Sequence, residues 1–161
     1  MMPQRLFITS HLREAFALAY GQAAQLGHEE VTPAHLLLGI LQHGTNMAAQ
    51  ILLYSCRVSQ PRLEEDLATL LPPTKPCRPP GAPSWSSRDE RILALAATEA
   101  QGLGHEHYGC QHVLLAFLRD QTSMLPAVLA RHGVHFDDVR RDVVRVYNDT
   151  MVWAAANSDP T

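Results

Sequence analysis

The sequence predicts an all-α protein of two pseudo-symmetric four-helix repeats, about eight helices in all, and three observations carry that expectation. Leu26-Gly27-His28 recurs as Leu103-Gly104-His105, and His35-Leu36-Leu37-Leu38 recurs as His112-Val113-Leu114-Leu115, each 77 positions later. Apolar residues in both halves follow the spacing of three, four and seven that marks amphipathic helices, and no segment alternates convincingly with the period of two of a half-buried strand. Six of the eleven prolines fall in PPTKPCRPPGAP, residues 72–83, which cannot continue a helix and reads as a linker. The expected organisation is one domain over 1–148, with repeat one over 5–71, the linker over 72–83, repeat two over 84–148, and a tail over 149–161.

The first helix is preceded by Thr9-Ser10, whose side-chain oxygens can accept from unpaired first-turn amides. It carries Ala15, Phe16, Ala19, Ala23 and Leu26 on one stripe and stops at Gly27, where a left-handed cap costs least. Its counterpart starts after Ser86-Ser87, carries Ile92, Leu93, Ala96, Ala100 and Leu103, and stops at Gly104. The second helix begins at Thr32-Pro33, an N-cap followed by proline at the first helical position, and buries Leu36, Leu37, Ile40 and Leu41. Its counterpart buries Val113, Leu114, Phe117 and Leu118, so the runs LLLGIL and VLLAFL are core and not a lipid pocket. Short third helices are expected from Met47 to Leu53 and from Met124 to Ala130. The fourth helices carry Leu63, Leu67 and Leu70 in one half and Val139, Val143 and Val146 in the other. There the offset has dropped to 76, from 63 to 139, so one residue has been inserted or lost. From Asp149 onward the chain has no repeat partner and is expected to fray, or to dock weakly through Val152 and Trp153.

The 161 residues, 46% hydrophobic and 18% charged, suffice for one ordinary globular domain. A net charge of -3 lacks the basic excess of non-specific phosphate binding, so no nucleic acid partner is expected. The longest apolar stretch, Leu36 to Leu41 counting Gly39, is far short of the roughly 20 residues that span a bilayer, so no membrane partner is expected either. His11, Arg13 and Glu14 interrupt any signal-like apolar region at the N-terminus. Cys56, Cys77 and Cys110 are odd in number and form no C-x-x-C pair, which fits free thiols in a reducing, cytoplasmic setting. Lys75, the only lysine, has none of the glycines of a phosphate-cradling loop around it, so no nucleotide motor is expected within this chain.

His28 and His105 close equivalent helices, where a ring can bond free carbonyls and complement the dipole. His35 and His112 open the next helices, where they are expected to tie the start to a neighbouring carbonyl. A metal site from His28, Glu29, His105, Glu106 and His107 would lack the i, i+4 spacing of zinc helices, and no metal or cofactor is expected. Cys110 with His112 could be read as nucleophile and base, but residues two apart on a helix face different ways, and a small buried cysteine is the simpler reading. Arg140, Arg141 and Arg145 interleave with Asp137, Asp138 and Asp142 as a solvated, self-paired helix face does. Trp85 either anchors the linker onto the core or stands at the edge of the cleft between the halves.

The doubled unit, with a helix ending in Leu-Gly-His, a second helix opening on x-x-His followed by apolar residues, and a small third helix, resembles the Clp N-terminal (Clp R) domain over about residues 5 to 148. In that family the domain precedes the ATPase modules of the unfoldases ClpA, ClpB and ClpC. The resemblance implies two pseudo-symmetric four-helix repeats, no catalytic residues, and a docking role toward adaptors, unfolded substrates and, in ClpC-type members, phosphorylated arginines. In those members a glutamate precedes each motif histidine; here Ala34 and Gln111 stand in those places, which weighs against phosphoarginine recognition. The expected function is a free-standing adaptor or regulator of Clp-mediated proteolysis, with Clp subunits, adaptors or substrate proteins as partners. The alternative is capture of a small cyclic peptide that protects an unfoldase. The resemblance places the binding groove at the helix starts facing the pseudo-twofold: Thr9, Ala34, Trp85, Ser86 and Gln111. The first-turn amides beside Thr9 and Ser86 leave a phosphate-bearing ligand physically possible there.

Overall fold

Local caps start the helices of both repeats where the sequence places them. The computed structural model describes residues 7–71 and 82–157; most of the expected linker lies outside the described residues. A two-residue strand β1 (Phe7–Ile8) leads into α1 (Ser10–Gln25), where the Thr9 hydroxyl accepts from Leu12 N–H. Gly27 then turns the chain at φ 73°, as Gly104 does at φ 73° in the second half. β2 (Glu30–Val31) precedes α2 (Pro33–His43), with Thr32 as N-cap and Pro33 in the first turn. α3 (Met47–Gln50) passes into a π-helical turn (Ile51–Ser55), and α4 is Gln60–Leu70. Repeat two follows the same plan: β3 (Ser84–Trp85), α5 (Ser87–Gly102), β4 (His107–Tyr108), α6 (Cys110–Arg119), α7 (Leu125–Arg131) and α8 (Phe136–Asn157). The backbone from Asp149 to Asn157 continues α8, because nothing at Asp149 breaks the helix, and the Val152 and Trp153 side chains lie outside what the structure describes. Residues 158–161 lie outside the described residues.

The expected helix stripes form one core that spans both repeats. Leu36, Leu37, Ile40, Val113, Leu114 and Phe117 are fully buried at its centre, with Ala15, Ala19, Ile92 and Ala96 packed on them. α1 and α2 approach so closely that a β-carbon on Gly39 would stand 2.5 Å from the Ala15 carbonyl oxygen. Repeat two has Ala116 at the equivalent place. No single helix among the described residues is long and apolar enough to cross a membrane.

The repeats are tied together by an exchange of strands that no periodicity announces. β1 of repeat one pairs in parallel with β4 of repeat two, Phe7 opposite His107, and β2 pairs with β3, Val31 opposite Trp85. Beyond each ladder, Thr9 N–H donates to the Tyr108 carbonyl and Ser86 N–H to that of Val31, both at 3.2 Å. His132, which caps the C-terminus of α7, reaches Asp66 on α4 at 2.6 Å.

The lost or inserted residue has a definite place. Val134 N–H donates to the Leu129 carbonyl after α7, whereas the matching bond in repeat one runs from Val58 to Leu52 across one residue more. The π-helical turn absorbs that residue through the Cys56 to Ile51 bond, and Arg57 takes the left-handed conformation (φ 54°) that Gly133 (φ 78°) takes in repeat two. The expected third helix, Met47 to Leu53, is thus α-helical only in its first part.

Candidate functional site

Phe16 on α1 and Leu93 on α5 occupy equivalent positions in the two repeats, yet they line one cavity of about 310 Å3. It sits where the repeats meet, and its other walls are Trp85, Asp89 and Glu90. Strand pairing with Val31 fixes the Trp85 backbone, and its ring meets Phe16 edge to face at 5.4 Å while remaining 41% exposed. Trp85 thus packs on Phe16 and lines the cavity where the repeats meet, whereas most of the linker it was expected to anchor lies outside the described residues. The acidic wall comes from the start of α5. Asp89, third residue of the helix, accepts from the Ser86 backbone N–H (3.0 Å) and hydroxyl (2.8 Å) through Oδ2, completing a capping box. Asp89 is 1% exposed and its Oδ1 has no partner. Burial pushes its carboxyl up to about 6, against the hydrogen bonds from Ser86 and with the help of the Glu30 charge.

The other expected groove residues fall into two related clusters. Thr9 and half-buried Gln111 flank Gly109, whose missing side chain lets them close in: a β-carbon there would stand 2.7 Å from Gln111 Oε1 and 3.0 Å from Thr9 Oγ1. The counterpart cluster joins Ser86 to Val31 beside α2, on which Ala34 is buried at 8% exposure. The two helix starts differ chemically. At Ser86 the N-cap amide donates to the Asp89 carboxylate and the Asp89 amide donates to Ser86 Oγ, so an anion there would meet a carboxylate; at Thr9 the equivalent position is Leu12.

His35 and His112 tie the starts of their helices, as expected, but to an amide in place of a carbonyl. His35 Nδ1 accepts from Thr32 N–H at 2.8 Å, and its Nε2 stands 2.7 Å from His28 Nδ1. His112 Nδ1 accepts from Gly109 N–H at 3.0 Å, with its Nε2 2.8 Å from His105 Nδ1. A neutral ring accepting on Nδ1 carries its proton on Nε2, so His35 donates to His28 and His112 to His105. Each helix-opening ring thus holds an N-cap amide on one nitrogen and the helix-closing histidine on the other. Burial first, and the neighbouring ring second, push His35 and His112 down to about 4. Burial also lowers His105, which stacks on Tyr147 at 3.7 Å.

The remaining candidates carry no convergent chemistry. Cys110 is 1% exposed, burial pushes its thiol up to about 12, and both nitrogens of His112 are engaged elsewhere. Cys56 and Cys110 are free thiols; Cys77 lies outside the described residues. Among the described residues, no three His, Cys, Asp or Glu side chains converge as metal ligands. Arg141 pairs with Asp138 and Arg145 with Asp142 on an exposed face. Sequence reasoning missed Asp89, although Ser86-x-x-Asp89 has the spacing of a capping box; its bare oxygen depends on burial by other elements.

Comparison with known proteins assigns this arrangement. The model of the Clp repeat (R) N-terminal domain matches residues 7–131 and again 85–154. The chain is 28% identical over 138 residues to chaperone protein ClpB of Oceanobacillus iheyensis and 24% identical over 148 residues to ClpC/MecB of Bacillus subtilis, a negative regulator of genetic competence. It covers 86% and 92% of itself in those alignments but spans only 17% and 18% of those proteins. The fold is similar to the Hsp104 N-terminal domain from Candida albicans, with a TM-score of 0.71, 18% identity, and coverage of 88% of this chain and 91% of that one. It is also similar to the N-terminal domain of ClpD from Arabidopsis thaliana, at 0.66 and 14%, covering 91% and 97%.

Proposed function

This chain belongs to the Clp repeat (R) N-terminal domain family, and from that premise we propose that it binds polypeptide in the cleft between its repeats and acts as an adaptor or regulator of Clp-mediated proteolysis. The observation that carries the reading is Trp85. A large aromatic side chain left 41% exposed over a cavity between the repeats is the kind of anchor that protein interfaces use. In Clp unfoldases the N-domain receives adaptors and substrates, and the partners proposed here are of that kind: Clp subunits, their adaptors or their substrates. Thr9 and Gln111 border the cleft in this proposal, with Ser86 and Ala34 on the counterpart side. Free Cys56 and Cys110 accord with a cytoplasmic setting. Capture of a small peptide-like molecule is the second reading, favoured by a cavity near the lower end of small-ligand sites.

Affinity capture of the tagged protein from its own cell extract tests the first reading, with Trp85→Ala/Gln111→Ala as the comparison. Clp subunits or their substrates retained by the native protein and lost by the double variant are the expected result. Equal capture by both would overturn the groove assignment. A co-purified small molecule without a protein partner would favour the second reading.

A further inference from the structure

Asp89 Oδ1 is a buried carboxylate oxygen without a hydrogen-bond partner, and the side chain that carries it lines the cavity between the repeats. Buried polar atoms are nearly always paired, and a bare carboxylate oxygen is among the most costly to leave unpaired. Its neighbours define what would satisfy it. Trp85 and Phe16 offer aromatic surface, Leu93 an aliphatic wall, and exposed Glu90 a second negative charge at the rim. An acid beside an aromatic ring, with another acid near it, complements a cation on an apolar stem: the stem packs on the rings and the head donates to the carboxylate. An anionic group would meet two carboxylates instead. A volume of about 310 Å3 suits one side chain better than a whole helix. The acidity belongs to one wall alone, since Leu12 and Arg13 occupy the equivalent positions in repeat one.

We propose that this cavity receives one cationic side chain of a bound polypeptide, a lysine or an arginine, which donates an N–H to Asp89 Oδ1 with its stem against Trp85 and Phe16. The inference rests on the reading of the cleft as a polypeptide groove and adds the chemistry of the residue recognised. It also gives the pseudo-symmetric cleft a direction, because the cation must lie toward repeat two.

The test is titration of the 15N-labelled full chain with four acetylated, amidated peptides, Gly-Leu-X-Leu-Gly, in which X is arginine, lysine, citrulline or norleucine. The readouts are the Trp85 indole and Asp89 amide signals. The arginine and lysine peptides should shift both, with the two neutral peptides at least about tenfold weaker, and the ratio of the first two identifies the preferred head group. Asp89→Asn, which keeps an acceptor for Ser86, should erase the preference for charge. Glu90→Gln, at an exposed site, should reduce it without disturbing the fold. Equal affinity for all four peptides would overturn the cation site and leave the groove intact. No shift at Trp85 with any peptide would overturn the inference, while the groove reading would still be decided by the capture experiment.

Discussion

At residue scale, the buried titratable groups set how stability follows pH. His35 and His112 have folded values of about 4 against 6.5 in the unfolded chain, so between those limits only the unfolded chain takes up their protons. Their contribution is fully present above pH 6.5 and is lost as pH falls toward 4. Asp89 acts in the opposite sense: raised from 3.8 to about 6, it favours the fold as pH falls through that window. Two groups outweigh one. At about 1.36 kcal/mol per pH unit, these three groups together lose on the order of 4 kcal/mol from pH 7 to pH 4, and lowered His105 acts in the same direction as the other histidines. Urea unfolding across that range should show it, and Asp89→Asn should raise stability at pH 7.5 and steepen the acid loss. A flat or rising profile would contradict the assignment. The same relay predicts the Nε2–H tautomer for His35 and His112, which two-dimensional 1H–15N spectra of the rings report directly.

At the scale of elements, Gly39 decides how closely α1 and α2 pack. Alanine at a helix interior normally gains about 1 kcal/mol over glycine. Here its methyl would press on the backbone of Ala15, which cannot swing away as a flexible side chain could. Overpacking costs about 1–3 kcal/mol, so after the propensity gain Gly39→Ala should lower the unfolding free energy by about 1 kcal/mol, within a span of about 0–2. A gain would show that the helices can separate at little cost. The helices themselves were legible because their signals are local: Thr9, Thr32 and Ser86 open them, and Gly27 and Gly104 close them. The π-helical turn was legible only as a one-residue change of offset, because an i to i+5 bond has no residue signature of its own. The strands escaped notice because two residues are too short to show a period of two. Of the site, Trp85 was legible as an aromatic beside the linker, whereas its contact with Phe16 depends on the docking of α1 against repeat two.

At the scale of the whole molecule, the strand exchange makes each repeat depend on the other. Residues 1–71 alone would lose β4 as the partner of β1, β3 as the partner of β2, and the His132 contact to Asp66. A chain of that length also buries a smaller fraction of its surface than the full chain and is marginal even with its contacts intact, so with these lost neither half should fold by itself. The full chain should unfold in one transition seen alike by circular dichroism and by Trp fluorescence. Cooperative melting of an isolated half would contradict this. The same interlock holds Phe16 and Leu93 on one cavity, and so underlies the proposed function. The most direct measurement is a 1H–15N shift map of the full chain saturated with a polypeptide partner recovered by capture. The largest shifts are expected at Phe16, Trp85, Ser86, Asp89 and Leu93. Shifts centred instead on a separate cavity between His11, Met47, Tyr54 and Val146, with the Trp85 signals unmoved, would contradict the proposed function.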